Sequence, residues 1–128
     1  MFVRTRSEYA EAHKELWSAM IKKLKKYRRP SHAAFRPDIY ALKRECFNSL
    51  FSEQKEFTIS YCFGCDWKHR HRECLFSTKE SCGSEYNRLK CLDGLYYELD
   101  AGLERGTLSR KKMVSIAKKI RDFPVRKR

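Results

Sequence analysis

The chain has no apolar run approaching the ~20 residues that a membrane-spanning helix requires, so no such span is expected. Its opening, Met1 to Glu8, has no apolar stretch, and a secretory signal is not expected either. Glycines number 5 and prolines 3. No glycine-rich phosphate loop or dinucleotide turn appears, nor an H-E-x-x-H or G-x-S-x-G element. Internal repeats are absent, and low complexity is confined to the tail Val125–Arg128. Acidic residues are few, at 16 against 29 Lys and Arg, a net charge of +13.

What the sequence does contain is one small domain's worth of core-forming residues. The 128 residues are 41% hydrophobic and 13% aromatic, which excludes wholesale disorder. The charge is unevenly spread. Residues 57–108 are near neutral, with 7 basic and 8 acidic side chains. Residues 1–56 have 13 basic and 7 acidic, and residues 109–128 have 9 basic and 1 acidic. A basic excess of this size attracts polyanions, and each phosphate neutralised releases counterions, giving salt-sensitive affinity.

Hydrophobic periodicity predicts about four helices. Ser7 to Tyr27 carries Tyr9, His13, Leu16, Trp17, Met20, Leu24 and Tyr27 at steps of three and four, with Ser7 as the expected cap. Lys22, Lys23, Lys25, Lys26, Arg28 and Arg29 crowd its exit before Pro30. A second helix is expected from Pro37 or Asp38, with Ile39, Leu42, Cys46, Phe47 and Leu50 on its apolar face. Cys46 reads there as a core thiol. Phe57, Ile59 and Tyr61 alternate with polar residues, the pattern of a short strand. A third helix is expected from Ser84, with Tyr86, Leu89, Leu92, Tyr96, Leu99 and Leu103 as its stripe. Gly94 is a possible break, and Gly106 a stop. Thr107 or Ser109 caps a fourth helix bearing Met113, Ile116, Ala117 and Ile120.

Five of the six cysteines follow the pattern C-x2-C-x8-C-x7-C-x8-C. Two thiolates two residues apart can face one tetrahedral ion, and Gly64 suits the tight turn between Cys62 and Cys65. A structural Zn2+ held by four of Cys62, Cys65, Cys74, Cys82 and Cys91 is the expected cofactor. His69 and His71 are alternative nitrogen ligands. A disulfide framework, a redox-active C-x-x-C and plain buried thiols are the competing readings. Four thiolates would close the coordination sphere, so no enzyme is expected. A zinc-supported nuclease is the alternative that His69, His71 and Asn87 suggest.

The expected fold is mainly α, with a short β-strand and zinc-knuckle element in a single domain over 1–128. That domain divides into a helical part over 1–54, a cysteine-rich part over 55–92 and a basic helix and tail over 107–128. The expected function is non-enzymatic binding of DNA or RNA. The candidate contacts are Lys22, Lys25, Lys26, Arg28, Arg29, Trp67, Lys68, His69, Arg70, His71, Arg72, Arg110, Lys111, Lys118 and Lys119, with Trp67 stacking on bases. The alternative is a protein that binds and blocks a host protein through the same basic surface.

Four short elements occur in a familiar order: Ala12-His13-Lys14-Glu15-Leu16-Trp17, Cys62-Phe63-Gly64-Cys65-Asp66-Trp67, Cys91-Leu92-Asp93-Gly94-Leu95-Tyr96-Tyr97 and Ile116 to Pro124. Together they resemble a loose group of small cysteine-rich proteins encoded by bacteriophages and prophages, which has no assigned activity. The chain departs from that group where many members show a second C-x2-C followed by Pro-Leu. Cys74-Leu75-Phe76 retains one of those two cysteines. The resemblance implies a phage-type accessory or host-takeover protein acting in bacterial cytoplasm, with Cys91 at or near the metal.

Overall fold

A computed structural model describes residues 5–26, 39–51, 63, 67, 75–77 and 91–126. Their fold is mainly helical, with four α-helices: α1 (Arg6–Lys25), α2 (Ile39–Leu50), α3 (Leu95–Arg105) and α4 (Arg110–Arg121). The strand expected over 57–61 and the C-x2-C pair lie outside the described residues, as do Tyr27, Ser84, Tyr86 and Leu89. Among the described residues, extended pairing is limited to one antiparallel bridge between Phe76 and Val125. Ser77 N–H donates to the Pro124 carbonyl at 2.8 Å, and Arg126 N–H to that of Leu75 at 2.9 Å. The tail is therefore stitched to the cysteine-rich region as far as Arg126.

The cap of α1 is Thr5 rather than Ser7. The Thr5 hydroxyl accepts the Glu8 N–H at 3.1 Å, and the Glu8 carboxylate accepts the Thr5 N–H at 3.0 Å. This reciprocal box satisfies two orphan donors, and such a cap contributes about 1 kcal/mol. Ser7 is exposed two residues past the cap, already inside the helix. The α1 stripe is as expected and is widened by Ala12 and Ile21.

On α2, Ile39, Cys46 and Phe47 are buried, but Leu50 is 40% exposed and Phe51, just past the helix, takes its place inside. The expected break before α3 is realised. Leu92, Asp93 and Gly94 lie in the left-handed region, at φ 51°, 56° and 87°. α3 starts after this left-handed turn at Leu95, and Leu92 before it and Tyr96 after it are both buried. At its other end α3 stops at Gly106, φ 66°, whose N–H returns to the Gly102 and Leu103 carbonyls.

One hydrophobic cluster joins all four helices with Phe63, Trp67, Leu75 and Phe76. α1 lies at its centre, packed on α4 and α2, and α3 packs on α4. Aromatic edges organise one end: Tyr9 meets Phe63 at 6.0 Å and Trp67 at 5.2 Å, and Phe63 meets Phe51 at 5.0 Å. Pairs of this geometry contribute about 0.5–1.5 kcal/mol each beyond their burial. No described helix is long and apolar enough to cross a membrane.

Candidate nucleic-acid interface

α4 separates its residues by chemistry. Met113, Val114, Ile116, Ala117 and Ile120 are buried against α1 and α3. Arg110, Lys111, Lys112, Ser115, Lys118 and Lys119 are exposed. The helix forms because Ser109 caps it, its hydroxyl accepting the Lys112 N–H at 3.1 Å, and because its apolar stripe has a face of α1 to cover. It contains no acidic residue.

Helix electrostatics explains only part of this charge. Lys118, Lys119 and Arg121 stand in the last turn, where the macrodipole favours cations. Arg110, Lys111 and Lys112 stand in the first turn, where it opposes them, at roughly 0.3–1 kcal/mol each. Three cations at the wrong end of a helix weaken the folded state.

The other cations differ in availability. Arg121 is held by its neighbour: its Nε and one terminal nitrogen donate to the Asp122 carboxylate at 2.9 and 3.0 Å. That hydrogen bond keeps the Asp122 carboxyl below its usual range and the guanidinium above its own. In the α1 exit cluster, Lys23 is paired with Glu45 of α2, and that hydrogen bond raises its ammonium pKa. Lys22, Lys25 and Lys26 are exposed. Arg28 and Arg29 lie outside the described residues, as do Lys68, His69, Arg70, His71 and Arg72.

Trp67 is corrected by the structure. It is 6% exposed, with its indole edge-on to Tyr9. It belongs to the core and is not offered to a base. The residue that sequence reasoning missed is Ser115, centred on the exposed face of α4; the same hydrophobic periodicity that exposes Lys111 and Lys118 exposes it too.

Of the expected zinc ligands, Cys62, Cys65, Cys74 and Cys82 lie outside the described residues, as does the Cys91 side chain. Among the described residues no three His, Cys, Asp or Glu side chains gather as a metal site. Cys46 is a buried free thiol on α2. Phe63, which follows Cys62 in the sequence, is fully buried against Tyr9, Phe47 and Phe51. Leu75, which follows Cys74, is equally buried.

A shallow depression of about 360 Å³ runs along α1 between Glu11, Lys14, Ser18, Ala19, Lys22 and Leu50. It mixes both charges with one exposed leucine and has no convergent polar set.

Comparison with known proteins finds no matching family model, no matching curated protein and no matching solved structure.

Proposed function

We propose that the chain is a zinc-stabilised, phage-type accessory protein that binds nucleic acid without catalysing a reaction, chiefly through the exposed face of α4. One observation carries the reading: five exposed cations on a helix with no acidic residue, three of them placed against the helix dipole. A bound phosphate row relieves that arrangement, because it supplies the negative charge the first turn lacks. Lys22, Lys25 and Lys26 add exposed cations on α1. A Zn2+ on four of Cys62, Cys65, Cys74, Cys82 and Cys91 orders the cysteine-rich segment. The burial of Phe63 and Leu75 supports this, since each anchors a residue next to a cysteine on the core.

The test is salt and charge reversal. With five phosphate contacts, log K should fall against log salt with a slope of about −4.5 on duplex DNA. The Lys118→Glu, Lys119→Glu double variant should weaken binding and make the slope shallower by about 2. Binding that ignores this change places the interface elsewhere. No nucleic-acid binding, but a salt-tolerant complex with a protein, would favour the host-protein reading.

A further inference from the structure

The exposed face of α4 has an internal order that goes beyond its charge. At about 3.6 residues per turn, residues seven apart lie almost in line along a helix, separated by about 10.5 Å. Lys111 and Lys118 form one such line, and Lys112 and Lys119 a second. The two lines stand about 100° apart around the axis. Ser115 lies between them, at i+4 from Lys111 and i−3 from Lys118 in the first line, and at i+3 from Lys112 and i−4 from Lys119 in the second. All four lysines are therefore its neighbours, with Cβ atoms about 5–6 Å away. Ser115 is the only uncharged exposed residue between Arg110 and Lys119. Its side chain is short and has a hydroxyl donor.

Resting on the nucleic-acid reading above, we propose that this face enters a groove of double-stranded nucleic acid, with one lysine line directed to the phosphates of each strand and Ser115 facing the groove between them. A duplex presents two phosphate rows across a groove of roughly 6 or 12 Å, comparable to the 10–12 Å diameter of a helix with its side chains. A single strand presents one row, and proteins that prefer single strands add aromatic platforms for the bases. α4 has no aromatic residue, and among the described residues Trp67, Tyr9, Trp17 and Tyr96 are buried, while the exposed Tyr40 lies on α2. The backbone of this face is also preorganised: α4 is capped by Ser109 and seated on α1, so docking requires no folding of the helix.

The experiment compares the full-length protein on a short DNA duplex and on one of its strands, by fluorescence anisotropy at fixed salt, with wild type, Ser115→Asp and Ser115→Ala. Ser7→Asp, an exposed serine on α1, controls for added charge. The duplex should bind about tenfold more tightly than the strand. Ser115→Asp should lose about tenfold in duplex affinity, because it sets a carboxylate between the two phosphate rows. Ser115→Ala should lose only about two- to threefold, and Ser7→Asp should change little. Thermal melts of each variant separate loss of binding from loss of fold, and the Ser115→Ala result stands if the aspartate variant unfolds. Equal or tighter binding to the strand overturns the duplex assignment while leaving the nucleic-acid reading intact. An unaffected Ser115→Asp variant overturns the docking of this face in a groove. No binding to either probe overturns the parent reading itself.

Discussion

The His13 ring on α1 and the Ile120 backbone near the end of α4 are joined by a buried hydrogen bond of 2.8 Å. A carbonyl only accepts, so Nε2 carries the proton and donates. The same ring lies 4.4 Å from Phe76, centroid to centroid, and tilts toward Trp17. One neutral imidazole thus ties together α1, the last turn of α4 and the segment that pairs with Val125.

That placement predicts acid sensitivity. Burial lowers the His13 pKa from 6.5 to about 4, against the opposing pull of the Ile120 bond; nearby Lys43 and Lys14 lower it further, and Asp122 raises it. The folded-state pKa lies below the unfolded one, so the unfolded chain takes up the proton first. Stability is therefore full above pH 6.5 and falls as pH drops toward 4, by about 3 kcal/mol from this group. Urea titrations at several pH values measure the slope. His13→Gln keeps a donor but does not titrate, and its slope should be flatter than wild type. Parallel slopes would show that His13 is not the source.

Lys43 yields a second prediction. It is 3% exposed on α2, with Nζ 3.4 Å from the Tyr96 hydroxyl and 4.5 Å from the ring centroid. Burying an ammonium is costly even when it is partnered, and an apolar residue of similar shape often does as well. Lys43→Met should be neutral or stabilising by up to about 2 kcal/mol in chemical denaturation. Tyr96→Phe should cost about 1 kcal/mol, because it removes a hydroxyl beside a buried charge. A loss of several kcal/mol in Lys43→Met would mean that the ammonium is held by a stronger set of partners than the tyrosine.

The contrast between these residues shows what was legible in the sequence. The helices were legible because Tyr9, Leu16, Met20 and Leu24, or Met113, Ile116 and Ile120, repeat at one period whatever the tertiary context. His13 falls on that stripe and faces inward as its position predicts, but its partner is 107 residues away and no local pattern announces it. Lys43 completes the α2 stripe at i+4 from Ile39 and i−3 from Cys46, yet its charge suggests solvent; the ring that receives it lies on α3. Trp67 departs from expectation for the opposite reason. It stands beside a basic run, and only the three-dimensional position of Tyr9 shows that it turns inward. The α4 face was legible because one amphipathic helix determines it alone.

Cys46 separates structural thiols from metal ligands. It is buried on α2, and burial pushes its thiol pKa up, so little nucleophilic thiolate forms near neutral pH. A thiol reagent at pH 7.5 should leave Cys46 unmodified in the native protein and label it after denaturation. Cys46→Ala should retain Zn2+ in native mass spectrometry and cost about 1 kcal/mol. Cys62→Ser and Cys65→Ser should each lose the metal, and chelation of wild type should lower Tm. Loss of zinc from the Cys46→Ala protein would redraw the ligand set.

Gly102 lies inside α3, where alanine ordinarily gains about 1 kcal/mol of helix propensity. Here the turn after α3 folds back on the helix: Thr107 N–H donates to the Gly102 carbonyl at 3.0 Å. Leu108 then lies over the glycine, so closely that a methyl group would overlap its side chain. Leu108 is partly buried against the core, so its retreat opens packing that α3 and α4 share. Overpacking of this kind costs about 1–3 kcal/mol and outweighs the propensity gain. Gly102→Ala should therefore lower Tm, and Gly102→Ala combined with Leu108→Ala should lose less than the sum of the two single changes. A raised Tm in the single variant would show that Leu108 swings clear, and that the glycine is not needed for the approach of the α3–α4 turn.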